Sequence, residues 1–122
     1  MKKVTAIGGV LFKSKDPEQT REWYSKHLGI ESQKWGAMFE WRHADDPEKT
    51  GATAWNPFPE TSKYFDGPLM INYCVENMEA LVEQLKADGV TIVDNIEDSD
   101  FGKFVHILDN EGRKVQLWEP KG

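Results

Sequence analysis

Two stretches of this chain carry the apolar spacing of a one-sided helix, and the segments around them alternate at the shorter period of strands. In the first stretch Thr20, Trp23, Tyr24, His27 and Leu28 fall on one face. Asp16 is placed to cap that helix, Pro17 suits its first turn, Gln19 completes a capping-box-like pattern, and Gly29 ends it. In the second, Asn77 is the cap, Met78, Leu81, Val82 and Leu85 form the stripe, and Gly89 is the stop. Each predicted helix follows a strand-like run, residues 6–14 and 69–75. Each precedes three short ones: about 30–35, 38–43 and 51–55 in the first half, and about 91–96, 103–108 and 114–118 in the second. Asp109-Asn110-Glu111-Gly112 predicts a tight hairpin turn, and Asp45-Asp46-Pro47 opens the matching loop in the first half.

The pattern is βαβββ, twice. Asp16 matches Asn77 at the helix caps, Leu28-Gly29-Ile30 matches Asp88-Gly89-Val90 at the helix exits, and Trp55-Asn56-Pro57 matches Trp118-Glu119-Pro120 at the closing strands. Modules of this size, about 4–57 and 69–120, bury too little surface to fold alone. The expectation is therefore one α+β domain over residues 1–122, its two modules joined by a polar linker at 58–68 and pairing their sheets around shared space.

Composition narrows the function classes. Hydrophobic residues make up 39% of the 122, enough for one core, and no run approaches the ~20 apolar residues of a membrane span. The formal net charge of −6, with no Lys/Arg stripe, argues against nucleic acid as a partner. Cys74 is the only cysteine, so there is no disulfide framework and no thiolate zinc site. The opening Met1-Lys2-Lys3-Val4-Thr5 lacks the apolar run of a signal peptide, and a reducing cytoplasm is the expected compartment.

Several stretches, in order and duplicated, carry a family resemblance. They are Lys15-Asp16-Pro17 entering the first helix, Trp23-Tyr24 followed by Leu28-Gly29, Val75-Glu76-Asn77 followed by Ala87-Asp88-Gly89-Val90, and the closing Leu108-Asp109-Asn110-Glu111-Gly112-Arg113-Lys114-Val115-Gln116-Leu117-Trp118-Glu119-Pro120. Together they resemble the vicinal oxygen chelate superfamily of glyoxalases, bleomycin- and fosfomycin-resistance proteins and extradiol (ring-cleaving) dioxygenases. The resemblance implies two βαβββ modules forming a curved, half-open mixed sheet around a cavity. It also implies a divalent metal held by up to four side chains, from the first and last strands of each module. Those positions fall on Gly9, Thr53, Met70 and Gln116. None of these is an imidazole or a carboxylate, so no metal and no cofactor are expected. Glu119, three residues past Gln116, turns to the other face of its strand and does not replace it.

Alternation along the strands gives the expected ligand-binding lining: Leu11 and Lys13 beside Gly9, Thr53 with Trp55, Met70 with Asn72 and Cys74, and Gln116 with Trp118. This mixture of indoles, amides, a thioether, a thiol and a cation suits a flat or aromatic small molecule. Trp41 joins it on the expectation that the aromatic face of 38–43 turns inward and Glu40 and Arg42 outward. His106 is the candidate acid/base, set against a structural histidine, while His27 reads as structural and His43 as exposed. Cys74 reads as a small core residue rather than a nucleophile. The acidic run Asp94, Glu97, Asp98 and Asp100 reads as a solvated loop at a cavity lip. The resulting expectation is a homodimeric, metal-free small-molecule-binding protein of the bleomycin-resistance kind, sequestering an aromatic or cationic compound. The alternative is a glyoxalase- or dioxygenase-like enzyme with an atypical or metal-independent active site.

Overall fold

The computed structural model describes residues 3–121. Met1 and Lys2, on which part of the leader reading rests, and Gly122 lie outside the described residues. The order of elements is β1 (Val4–Ser14), α1 (Pro17–Leu28), β2 (Ala37–His43), β3 (Asp46–Pro59), β4 (Leu69–Val75), α2 (Met78–Ala87), β5 (Glu97–Ser99), β6 (Gly102–Leu108) and β7 (Lys114–Pro120). The strands hydrogen-bond in the order β2-β3-β1-β4-β7-β6-β5, an open mixed sheet with β2 and β5 at its edges. The fold is α+β, as the sequence pattern predicts. Contacts divide the chain into two compact units, Gly9–Leu69 and, within the described residues, 3–8 with 70–121.

In the unit Gly9–Leu69, β1 pairs parallel with β3, and β2 pairs antiparallel with β3. Asp16 caps α1 by accepting from Gln19 N at 3.1 Å, and Gly29 ends it in the left-handed region at φ 71°. The expected apolar stripe is only partly used. No residue of α1 is buried: Tyr24 packs edge-on against Trp55 at 5.0 Å, while Trp23 and Leu28 face solvent. The expected strand at 30–35 is absent and only a bridge between Gln33 and Gly36 forms there. A turn closed by reciprocal Gln33–Gly36 backbone bonds of 2.8 and 3.0 Å takes its place. Gly36, at φ 136°, lies so close to the Trp55 carbonyl that any side chain there would collide with it.

The segment expected to be a polar linker, 58–68, carries structure instead. β3 continues through Pro59, and Phe65, only 1% exposed, packs edge-on against Phe58 at 5.5 Å. Tyr64 stacks on Phe58 at 5.9 Å, and Lys13 Nζ sits 5.1 Å above the Phe65 ring. Lys13 N donates to Pro68 O at 2.9 Å, which ties the end of this segment to β1.

In the other unit β4 pairs parallel with β7, β7 antiparallel with β6, and β6 antiparallel with β5. One face carries the core: Val75, Met78, Leu81, Val82, Val105 and Leu117, with Tyr73, Leu85, Ile92, Ile96, Ile107 and Val115 packed against them. The stripe predicted for α2 supplies three of the six buried members. The helix starts with two caps. Asn77 accepts from Ala80 N at 3.1 Å, and Glu119, on β7, accepts from Met78 N at 2.6 Å. Glu119 thus anchors the helix from the last strand. Glu119→Ala leaves the Met78 N–H without that acceptor, and we expect a loss of about 1–2 kcal/mol in chemical denaturation.

The expected strand at 91–96 is also missing. Ile92 bridges Ile107, Val93 N donates to His106 O at 2.8 Å, and Leu108 N donates to Thr91 O at 3.1 Å. Regular pairing then stops because Asp94 takes the next donor with its side chain: His106 N donates to Asp94 Oδ1 at 2.8 Å. The short β5 lies in the run read as a solvated loop, with Glu97, Asp98 and Ser99 paired to Phe104, Lys103 and Gly102.

Candidate functional site

The face of β4, β7 and β6 opposite α2 carries two rows of side chains set by strand register. Asn72 stands beside Gln116, and Gln116 beside His106; next to them Cys74 stands beside Trp118, and Trp118 beside Phe104. The first row is polar and buried, with Asn72 4%, His106 6% and Gln116 6% exposed. Buried polar groups need partners, and these bond to one another in a line. Asn72 Nδ2 donates to Gln116 Oε1 at 2.5 Å, and Gln116 Nε2 meets His106 Nε2 at 3.2 Å. His106 Nδ1 meets Asp94 Oδ2 at 2.7 Å. The line therefore runs from Asp94, whose side chain is partly exposed, inward to Asn72. Asn72 Oδ1 is buried and has no partner among the described residues.

The second row is apolar. Phe104 and Trp118 stack at 5.9 Å with planes 7° apart, and Trp118 Nε1 donates to Phe101 O at 2.8 Å. Cys74 is buried, and burial pushes its thiol pKa up, so it is a poor nucleophile at neutral pH. Met70 is 1% exposed. Gly8, on β1, lies against both rows. A Cβ there would meet Asn72 Oδ1, and also Cys74 Sγ at 2.8 Å and Trp118 Cε3 at 2.9 Å.

The sequence-predicted residues divide. Asn72, Cys74, His106, Gln116 and Trp118 come together as rows on one face. Leu11, Lys13, Trp41, Thr53 and Trp55 lie in the unit Gly9–Leu69, and there the expected common lining splits between two faces. Register sets Val10 beside Trp55, and Gly9, Leu11 and Lys13 beside Ala54, Asn56 and Phe58. Trp55 accordingly packs on Phe12 at 5.3 Å and on Tyr24 of α1 at 5.0 Å. Thr53 shares that face and accepts from Trp41 Nε1 at 2.8 Å, which puts the aromatic side of β2 there too. The expectation erred by aligning Trp55-Asn56-Pro57 with Trp118-Glu119-Pro120. Strand register instead sets Leu11 beside Asn56 as it sets Asn72 beside Gln116, so Asn56 and not Thr53 is the counterpart of Gln116. Asn56 Nδ2 donates to Trp35 O at 2.9 Å.

Sequence reading missed Phe104, Gly8 and Asn56, and it read Asp94 as part of a solvated loop at a cavity lip and not as a partner of His106. Phe104 was available by alternation from His106. Asp94 was not, because its role depends on an irregular backbone that brings it alongside β6.

Among the described residues no group of three or more His, Cys, Asp or Glu side chains is placed to hold a metal ion. The positions that the resemblance assigns to metal ligands do not suit one. Gly9 has no side chain, the Thr53 hydroxyl accepts from Trp41, Met70 offers only a thioether, and the Gln116 carbonyl accepts from Asn72.

The profile of the Glyoxalase/Bleomycin resistance protein/Dioxygenase superfamily matches residues 6–117. The chain belongs to that superfamily. No curated protein sequence matches it. Among solved structures it is similar to a variant of Streptomyces coelicolor methylmalonyl-CoA epimerase in complex with 2-nitronate-propionyl-CoA, at 17% identity and TM-score 0.73, covering 98% of this chain and 99% of that one. The methylmalonyl-CoA epimerase from Mycobacterium tuberculosis gives 17% identity and TM-score 0.65 over 100% of this chain and 92% of that one. A glyoxalase/bleomycin resistance protein/dioxygenase superfamily member from Vibrio splendidus 12B01 gives 11% and 0.57 over 90% and 95%. At these identities the likeness establishes the fold of the superfamily and not a shared reaction. Among the described residues no helix is long and apolar enough to cross a membrane.

Proposed function

We propose that this superfamily member binds a small organic molecule without a metal ion, on the face that carries Asn72, Gln116, Cys74 and Trp118. The observation behind this reading is the state of Gln116. It stands where the superfamily places its closing carboxylate, yet both ends of its amide are engaged, with Asn72 on one side and His106 on the other. A neutral amide already bonded at both ends has little to offer a hard or borderline cation. The same face carries groups of the kind an organic ligand meets: a stacked indole and phenyl pair, a thioether and a row of amides. An aromatic compound, or a cationic one drawn by the net charge of −6, fits this chemistry. Assembly as a homodimer and residence in the cytoplasm belong to the same proposal.

Native mass spectrometry of untagged protein, purified without chelator and then incubated with Mg²⁺, Co²⁺, Ni²⁺ or Zn²⁺, tests the reading. We expect a dimer with no stoichiometric metal, in the wild type and in Gln116→Glu alike, because one added carboxylate finds no second ligand at Gly9 or Met70. A divalent ion bound one per chain in the wild type would sink the proposal. The ligand panel for the same instrument includes an acyl-CoA, since similar folds are seen with a CoA derivative. The competing reading, a metal-independent enzyme, draws on the Asp94–His106 pair at 2.7 Å. It requires His106 to release Gln116, because both ring nitrogens face partners. Turnover that survives chelation and is lost in His106→Ala would favour it.

A further inference from the structure

The sheet has two edges among the described residues, and only one of them is blunted. β5 is three residues long and carries Glu97 and Asp98, so it offers little to pair with. β2 is seven residues long, has no proline, and bonds to β3 on one side only. Met38 and Phe39, on opposite faces of β2, are 45% and 46% exposed, so apolar surface lies open on both sides of that edge. The bulkiest side chain of the strand does not cover it. Trp41 leans inward over β3, where Nε1 donates to Thr53 Oγ1 at 2.8 Å and the ring fills the space that Gly51 leaves empty.

Glu40 and Arg42 are exposed and share one face of this edge strand. A single charge there would repel a second copy of the strand, whereas two opposite charges select a register. When two copies pair antiparallel about a two-fold axis, opposed residues share a face, so the axis passes through one residue of β2. Centred on Glu40 or on Arg42, the pairing sets that charge against its own copy. Centred on Phe39, it leaves Glu40 opposite Met38. Centred on Trp41, it sets Glu40 opposite Arg42 of the second copy, Arg42 opposite Glu40, and Phe39 opposite His43. Arg42 rests Nη1 on the Pro47 carbonyl at 3.0 Å, and a guanidinium has further donors to give.

We infer that β2 is the surface through which two copies of this chain associate, paired antiparallel about Trp41 with Glu40 and Arg42 exchanging ion pairs across the axis. The inference rests on the homodimer proposed above and names its interface.

Sedimentation velocity of the full chain over a dilution series tests it. Glu40→Lys and Arg42→Glu each turn both ion pairs into like-charge contacts, and we expect each to weaken the dimer about tenfold. Mixed in equal amounts, the two variants are complementary at both contacts, and we expect a heterodimer as tight as the wild-type dimer. That recovery also shows that neither variant has failed to fold. A dimer that neither variant weakens overturns the inference and leaves the homodimer standing on another surface. Weakening by both variants with no recovery on mixing overturns it as well. A wild type that stays monomeric throughout overturns the interface and the homodimer together, leaves the β2 edge to a different partner, and does not touch the metal-free binding reading.

Discussion

Gly8→Val will unfold this protein at a temperature roughly 10 °C below that of the wild type, a loss of about 3 kcal/mol. Gly8 lies on β1 against the two rows of the site, where even a Cβ would overlap Asn72 Oδ1, Cys74 Sγ and Trp118 Cε3. Two of the three obstacles cannot give way cheaply. Trp118 is held by its Nε1 bond to Phe101 and by its stack on Phe104, and Asn72 by its 2.5 Å bond to Gln116. Packed interiors transmit such overlaps rather than absorb them. Gly8→Ala, with one carbon instead of three, should cost less but move in the same direction. Thermal melts of the three proteins check the order. The His106 nitrogen signals should move with stability in both variants, because pushing Asn72 disturbs the whole line. A Gly8→Val protein as stable as the wild type would mean that these rows are loosely packed.

The second large effect is expected in the unit Gly9–Leu69. Phe65→Ala should cost about 3–5 kcal/mol, read from the denaturant midpoint. Phe65 lies outside any helix or strand, yet it is 1% exposed and is held by Phe58, Tyr64 and the ammonium of Lys13. Truncation removes a whole ring from a site closed on several sides, and the residual cavity adds to the lost transfer energy. Phe65→Leu should recover most of the loss, since it restores volume without the ring contacts. A cost under about 1 kcal/mol for the alanine variant would show that the 58–68 segment is a tether and not part of the packing.

These two residues mark the limits of what the sequence makes legible. The helices were readable to the residue at their caps because Asp16, Asn77, Gly29 and Gly89 act locally, through bonds to backbone a few positions away. The core face of the unit containing α2 followed from the spacing of Met78, Leu81 and Val82 and from alternation in β6 and β7. Asn72, Gln116 and His106 could be placed on one face for the same reason. Register could not be read that way. Matching Trp55 to Trp118 by the proline two residues on was plausible as text, yet strand pairing made Asn56 the partner position and turned Trp55 toward α1. The slip from Thr53 to Asn56 is an odd number of residues, and on a strand an odd offset puts a side chain on the opposite face. Asp94 and Phe65 failed for a different reason: both act from irregular backbone, where no periodicity exists to read. The strands expected at 30–35 and 91–96 were lost to the same effect, a tight turn at Gly36 in one case and a side chain replacing a ladder bond in the other.

Four consecutive residues of β7 do four unrelated jobs. Gln116 joins the polar line, Leu117 enters the core, Trp118 stacks on Phe104 and bonds to Phe101, and Glu119 caps α2 from a position 41 residues away in sequence. During synthesis, then, α2 leaves the ribosome long before its second cap or its principal apolar partner exists. Until β7 has emerged, a nascent chain halted before Gln116 has Val75 and Val105 to set against α2 but neither Leu117 nor the Glu119 cap, which leaves part of an amphipathic helix open to chaperones and proteases.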